Sequence, residues 1–181
     1  MQLLVARQAQ APEVLLPKAT RLVRDCREWL ADFLRHKHPR ATITILRKTD
    51  RRQLRYAMND AGLASSFLES SAWEVRVDVV AAVQQRRQTT LVFVELKAKP
   101  ISLVDVGQLL GYCRVCRPRG AYLLSSKGLS SNLHRLLTTY GRIDVLDFGN
   151  DVMRVGRWDV ARASPDWSSM IPPGDLATIA L

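Results

Sequence analysis

The stretch "WEVRVDVVAAVQQRRQTTLVFVELKA", residues 73–98, reads as two strands and the turn between them. Its first half alternates over 73–83, with Val75, Val77 and Val79 on one side and Glu74, Arg76 and Asp78 on the other. "QQRRQ" supplies a polar turn, and "TLVFVELKA" (90–98) returns as the second strand. There Val92, Val94 and Leu96 share one face, while Phe93, Glu95 and Lys97 share the other. If the strands pair, Asp78, Glu95 and Lys97 converge on one side of the sheet. Two adjacent carboxylates repel, so in a half-buried site one takes up a proton unless a cation holds both. A hard divalent ion with oxygen ligands, magnesium or manganese, answers that need. The simpler alternative is a cross-strand salt bridge of Lys97 with either acid on a solvated face.

Working outward, "SLVDVGQLLGYCRVC" (102–116) predicts a helix whose start is marked by Ser102 with Asp105 three residues on. "AYLLSS" (121–126) predicts a short buried strand, and "SSNLHRLLTTYG" (130–141) a second helix ending on glycine. "RIDVLDFG" and "DVMRVGRWD" predict a hairpin, and the Pro- and Ser-rich residues 161–181 an irregular tail. Toward the N-terminus, residues 17–36 predict an amphipathic helix. Its stripe holds Leu22, Val23, Cys26, Trp29, Leu30, Phe33 and Leu34, with Pro17 in the first turn. "ATITILRKT" (41–49) predicts a strand. Residues 50–72 fit a helix, a hairpin arm or both in turn. The whole is an α/β fold, a mixed sheet flanked by helices, with one domain over 1–160.

Of the 181 residues, 47% are apolar, which favours a packed globule over a disordered chain. No apolar run approaches the roughly 20 residues of a membrane span. The start, "MQLLVARQAQAPEVLLPK", lacks the features of a secretory signal, which predicts a cytoplasmic protein. The net charge is +10, carried by 21 Arg against 6 Lys. Arginine suits bidentate phosphate contacts, so a polyanion such as nucleic acid is the partner to test against a plain solvated surface. Three cysteines make no disulfide framework. Cys113 and Cys116, a C-x-x-C inside a helix, read as small half-buried side chains. An iron–sulfur cluster would need four cysteines, and zinc would need help from His36 or His38.

At Asp78 and "ELK" (95–97) the chain resembles the PD-(D/E)xK, or restriction-endonuclease-like, nuclease superfamily, with Val77 where the motif name has proline. "QLLGY" places Gln108 and Tyr112 at i and i+4, which resembles the Q-x-x-x-Y motif of its RecB-like branch. The resemblance covers residues 73–125 well and implies a core of order αβββαβ. It implies a magnesium- or manganese-dependent deoxyribonuclease. Asp78, Glu95 and the Leu96 carbonyl would hold the metal, Lys97 would orient or activate water, and Gln108 and Tyr112 would brace the site or contact DNA. The size suits a homodimeric, Holliday-junction-resolvase-like endonuclease of DNA repair, recombination or defence; an exonuclease is compatible too. Many relatives add an acid from the first helix. Glu28 is the positional candidate, but its projection opposite the apolar stripe makes it solvated. Glu69 and Glu74 are further candidates, and Glu74 lies roughly 13 Å along the strand from Asp78. The third acid stays unassigned. Two other readings compete: a DNA-binding module of the same fold without turnover, and a basic interaction subunit whose acids are ordinary surface charge.

Overall fold

The computed structural model describes residues 18–174. The expectations for Pro17 and for the N-terminal segment therefore lie outside the described residues, as does the end of the predicted tail.

Helix α1 (Lys18–Lys37) buries Leu22, Cys26, Leu30 and Leu34, with Val23, Trp29 and Phe33 partly covered, as its apolar stripe predicts. Arg35, His36 and Lys37 lie in its last turn, where positive charge complements the helix dipole. Strand β1 (Thr42–Ile45) follows, then helix α2 (Leu54–Asp60) and two 3-10 turns, which resolve the ambiguous 50–72 segment mainly as helix and turn. Strands β2 (Val79–Gln85) and β3 (Gln88–Lys97) make the hairpin. Helix α3 (Leu103–Cys116) crosses over to strand β4 (Gly120–Ser125), and helix α4 (Ser131–Thr138) follows. Strands β5 (Asp147–Phe148) and β6 (Asp151–Val152) form a small hairpin, and β7 (Arg154–Asp159) and β8 (Ser164–Ile171) follow.

Six strands form one mixed sheet in the order β1-β2-β3-β4-β7-β8. The β1-β2-β3 and β7-β8 pairs are antiparallel, while β3-β4-β7 run parallel. Both faces are covered. On one, α1 packs over Val79, Ala81, Val92, Val94, Tyr122 and Leu124. On the other, Leu54 and Met58 of α2, Leu109 and Cys113 of α3 and Leu133 and Leu137 of α4 cover Val80, Leu91, Phe93 and Leu123. Central strands buried on both sides are expected to be continuously apolar, which "LVFV" is. Among the described residues, no helix is long and apolar enough to cross a membrane.

Three expectations need correction. The first strand of the hairpin, β2, begins at Val79, not at Trp73. The carbonyls of Trp73 and Val75 accept from the N–H groups of Arg55 and Leu54, at 3.2 and 2.8 Å. That segment therefore spends its hydrogen bonds on the first turn of α2 instead of a sheet ladder. Its alternation still holds, with Trp73, Val75 and Val77 buried and Glu74 and Arg76 exposed. A bend at Asp78 then breaks the parity: Val77 packs in the cluster of Val80, and Val79 faces α1. The third correction is at the C-terminus, where residues 164–171 form an edge strand on β7 where an irregular segment was expected.

Candidate active site

Asp78 occupies the bend just before β2, and Glu95 lies near the end of β3. Pairing of Val79 with Val94 makes Asp78 and Glu95 the next residues in register, directly across the hairpin. Each carboxylate is held by the opposite main chain. The Leu96 N–H donates to Asp78 Oδ2 at 2.8 Å, and the Asp78 N–H donates to Glu95 Oε2 at 3.3 Å. Lys97 Nζ donates to Glu95 Oε1 at 3.0 Å. The hairpin thus brings together the acids and lysine predicted from its sequence.

The bend has a further consequence. In a strand, the N–H and C=O of one residue project toward the same edge. The Leu96 N–H reaches the Asp78 side chain, so the Leu96 carbonyl lies on the edge that β2 no longer covers. The site therefore offers two carboxylates and one main-chain oxygen. Among the described residues, no group of three or more His, Cys, Asp or Glu side chains is arranged to hold a metal ion. That donor set suits magnesium better than an all-protein cage metal. Magnesium keeps several waters and is commonly held by one or two carboxylates together with substrate phosphate.

The electrostatics follow from burial. Glu95 is 7% exposed, and burial raises its pKa, as does the Asp78 charge, with Lys97 working in the opposite sense. Burial also raises the pKa of Asp78; the Leu96 N–H and Lys97 oppose the shift, and Asp50 adds to it. Burial works against the charged form of Lys97, but the Glu95 carboxylate beside it, with Asp105 and Asp78, lifts its pKa above the ordinary value. Net, two acids resist ionisation beside a lysine that holds its proton firmly.

Sequence reasoning missed four contributors. Asp105 is buried in the first turn of α3, where its Oδ2 accepts from the Ser102 N–H at 2.9 Å and from the Ser102 hydroxyl at 2.6 Å. Its Oδ1 faces Lys97 Nζ at 3.7 Å and Lys99 Nζ at 3.5 Å. One carboxylate thus starts the helix and restrains the lysine. Only the first role was legible from the Ser102–Asp105 spacing. Arg27 of α1 reaches the Asp78 carbonyl at 3.5 Å and pairs with Asp50, and Thr49 Oγ1 donates to the same carbonyl at 3.2 Å. Thr49 closes the stretch 41–49 expected to be strand, which in the structure stops at Ile45, and Asp50 opens the segment whose pattern left helix and hairpin arm open; both lie in the loop after β1. Asp50, not an acid of α1, is a further carboxylate whose charge acts on Asp78.

Glu28 is exposed on α1, as its wheel position predicts. Glu74 is exposed and pairs with Arg55, and Glu69 is exposed ahead of the second 3-10 turn. None of the three joins the site. Gln108 Nε2 donates to the Tyr112 hydroxyl at 3.0 Å, so the motif residues contact one another on α3. They lie within about 60° of Asp105 around the helix, which is the side facing Lys97. No hydrogen bond joins either to Asp78, Glu95 or Lys97. Leu109 packs against the sheet with Cys113 and Cys116, which are buried where half-buried side chains were expected, while Val104 is 80% exposed. Cys113 and Cys116 are buried free thiols; burial pushes Cys116 up to about 12 and Cys113 above its ordinary value as well. No protein-family model matches the chain, and no curated protein or solved structure shows significant similarity to it.

Proposed function

We propose that this protein is a metal-dependent nuclease of the PD-(D/E)xK type that hydrolyses DNA phosphodiester bonds. The observation that carries the reading is the facing of Asp78 and Glu95 across the hairpin, with Lys97 on Glu95 at 3.0 Å. Supporting it is the element order α1-β1-α2-β2-β3-α3-β4, the expected αβββαβ series with one added helix.

In this reading, Asp78, Glu95 and the Leu96 carbonyl hold a magnesium or manganese ion. The chemistry that ion supplies is acidification of a bound water and compensation of the charge that builds on the attacked phosphate. Burial readies the two acids for it, since a dry carboxylate pair that repels itself gains most from a divalent charge. Lys97, kept protonated by Glu95 and Asp105, orients the attacking water and donates to a phosphate oxygen. Asp105 limits its wandering. Gln108 and Tyr112 extend the same side of α3 toward the substrate. Arginine-rich surface supplies grip on the backbone without reading sequence. A cytoplasmic, homodimeric endonuclease of repair, recombination or defence is the corresponding biological role.

The test is a panel of labelled DNA substrates, namely duplex, single strand, flap and four-way junction, incubated with and without magnesium. Magnesium-dependent cleavage that Asp78→Asn and Glu95→Gln abolish, with DNA binding kept or tightened, supports the reading. Binding without cleavage by the parent protein points instead to a DNA-binding module. Neither binding nor a magnesium-induced rise in melting temperature leaves a basic interaction subunit.

A further inference from the structure

At the far end of α3 from the acids, a cavity of about 450 Å³ is lined by Arg114, Arg117 and Arg119 above Phe148 and the Gly149–Asn150 turn. Only Arg119 has a local counter-charge there, pairing with Asp151 at 3.1 Å. Among the described residues, Arg114 and Arg117 make no ion pair, so two guanidiniums stand in excess around one concavity. The C-terminal dipole of α3 opposes an anion there by about half a charge, which two full positive charges outweigh.

A second observation concerns the backbone. Arg117 caps α3 in the left-handed region, with φ 49° and ψ 53°. Glycine fills such positions at least cost, and a long side chain held there is a strained choice of the kind found at functional sites. That cap ends α3, with the Arg117 N–H donating to the Cys113 carbonyl at 2.8 Å, and it leaves the guanidinium exposed and lining the cavity.

We infer that this cavity is a phosphate-binding site in which Arg114 and Arg117 grip the anion and Arg119, anchored by Asp151, closes one side. The ligand is a phosphate group, either of a nucleic-acid backbone or of a free phosphate or pyrophosphate ion. The site is separate from the Asp78–Glu95 pair. Arg117 follows Asp105 by roughly 18 Å along the helix, about five nucleotide steps of a strand laid beside it.

The experiment measures binding in EDTA, so its outcome does not depend on whether the protein cleaves DNA. Arg117→Gly removes the guanidinium while installing the residue favoured at positive φ, and should raise the melting temperature by a few degrees. Arg114→Gln is combined with it, and Arg21→Gln together with Arg40→Gln, exposed arginines of α1 and the turn after it, removes the same number of charges and serves as the charge-matched control. For a backbone phosphate, the double variant binds a labelled oligonucleotide about tenfold more weakly, and the slope of log affinity against log salt falls by about one to two relative to the control. For a free anion, pyrophosphate titrated into the parent saturates and the double variant loses that binding, with the oligonucleotide slope unchanged. Either result supports the site and names its source. If the Arg114/Arg117 variant matches the Arg21/Arg40 control with both probes, the inference is wrong.

Discussion

Asp78 shows how one residue couples fold to chemistry. Its main chain turns the strand, its N–H holds Glu95, and its carboxylate takes the Leu96 N–H. Because burial raises both acid pKa values, the folded state binds more protons than the unfolded chain between the ordinary carboxyl pKa and the raised ones. Stability therefore falls as pH rises through that window, and the full penalty is present above it. Asp78→Asn, in metal-free buffer at neutral pH, should consequently stabilise the protein by on the order of 1 kcal/mol, since an amide oxygen still accepts from Leu96. The gain should shrink as pH is lowered toward 4; denaturant melts at several pH values measure it, and a gain that grows on acidification contradicts the argument. Asp105 runs the other way. Burial alone would raise its pKa, but the Ser102 hydrogen bonds and both lysines hold it below the usual range. Its contribution is present above the ordinary carboxyl pKa and is lost as pH falls through the depressed one. Asp105→Ala should cost about 1–2 kcal/mol, with Asp105→Asn retaining part of the cap. Cleavage by the Asn variant, if the nuclease reading holds, should lose activity at high pH earlier than the parent, because Lys97 gives up its proton more easily.

At the scale of elements, α3 stands out. It is apolar on its packed side through Val106, Leu109 and Cys113, yet also exposes Leu103, Val104 and Val115. Gly107 and Gly111 interrupt it, and a Cβ at either would meet nothing within 4 Å. Intramolecular packing therefore does not require glycine at these two positions. Each Gly→Ala change should stabilise the fold by about 0.5–1 kcal/mol through helix propensity, read from denaturant midpoints. Gly156 in β7 is the opposite case. A Cβ there would crowd Met170 and would come within 3.3 Å of the Met170 Cα, on a side chain that is 3% exposed. Gly156→Val should cost about 2 kcal/mol by overpacking between β7 and β8. If that variant melts with the parent, β8 does not sit on β7 as described.

For the molecule as a whole, +10 net charge on 181 residues means self-repulsion in the folded state. Many of its ion pairs are exposed and worth little, as Arg24–Asp25, Arg35–Asp32 and Arg142–Asp144 are. Raising salt from low to about physiological strength screens repulsion over roughly 8–10 Å while sacrificing little from such pairs. The melting temperature should therefore rise with salt; a fall would mean that the ion pairs outweigh the net charge.

What the sequence determined by itself was local. The periodicity of α1 and β3 located their buried faces, because burial of an apolar stripe or of alternate residues is decided by residue type. The Ser102–Asp105 spacing marked the start of α3 because a cap is satisfied within one turn. The parity of "ELK" and the length of the hairpin placed Glu95 and Lys97 together with Asp78 opposite. Tertiary structure decided whatever depended on partners remote in sequence. Residues 73–77 alternate like a strand, yet α2 takes their carbonyls and β2 starts later. Asp50 and Arg27 reach Asp78 from 28 and 51 residues away, Asp105 meets Lys97 only after the crossover is folded, and β8 becomes a strand only because β7 offers it an edge. Pattern records what a residue prefers; which hydrogen-bonding group or charge is there to meet it is settled by the packed chain.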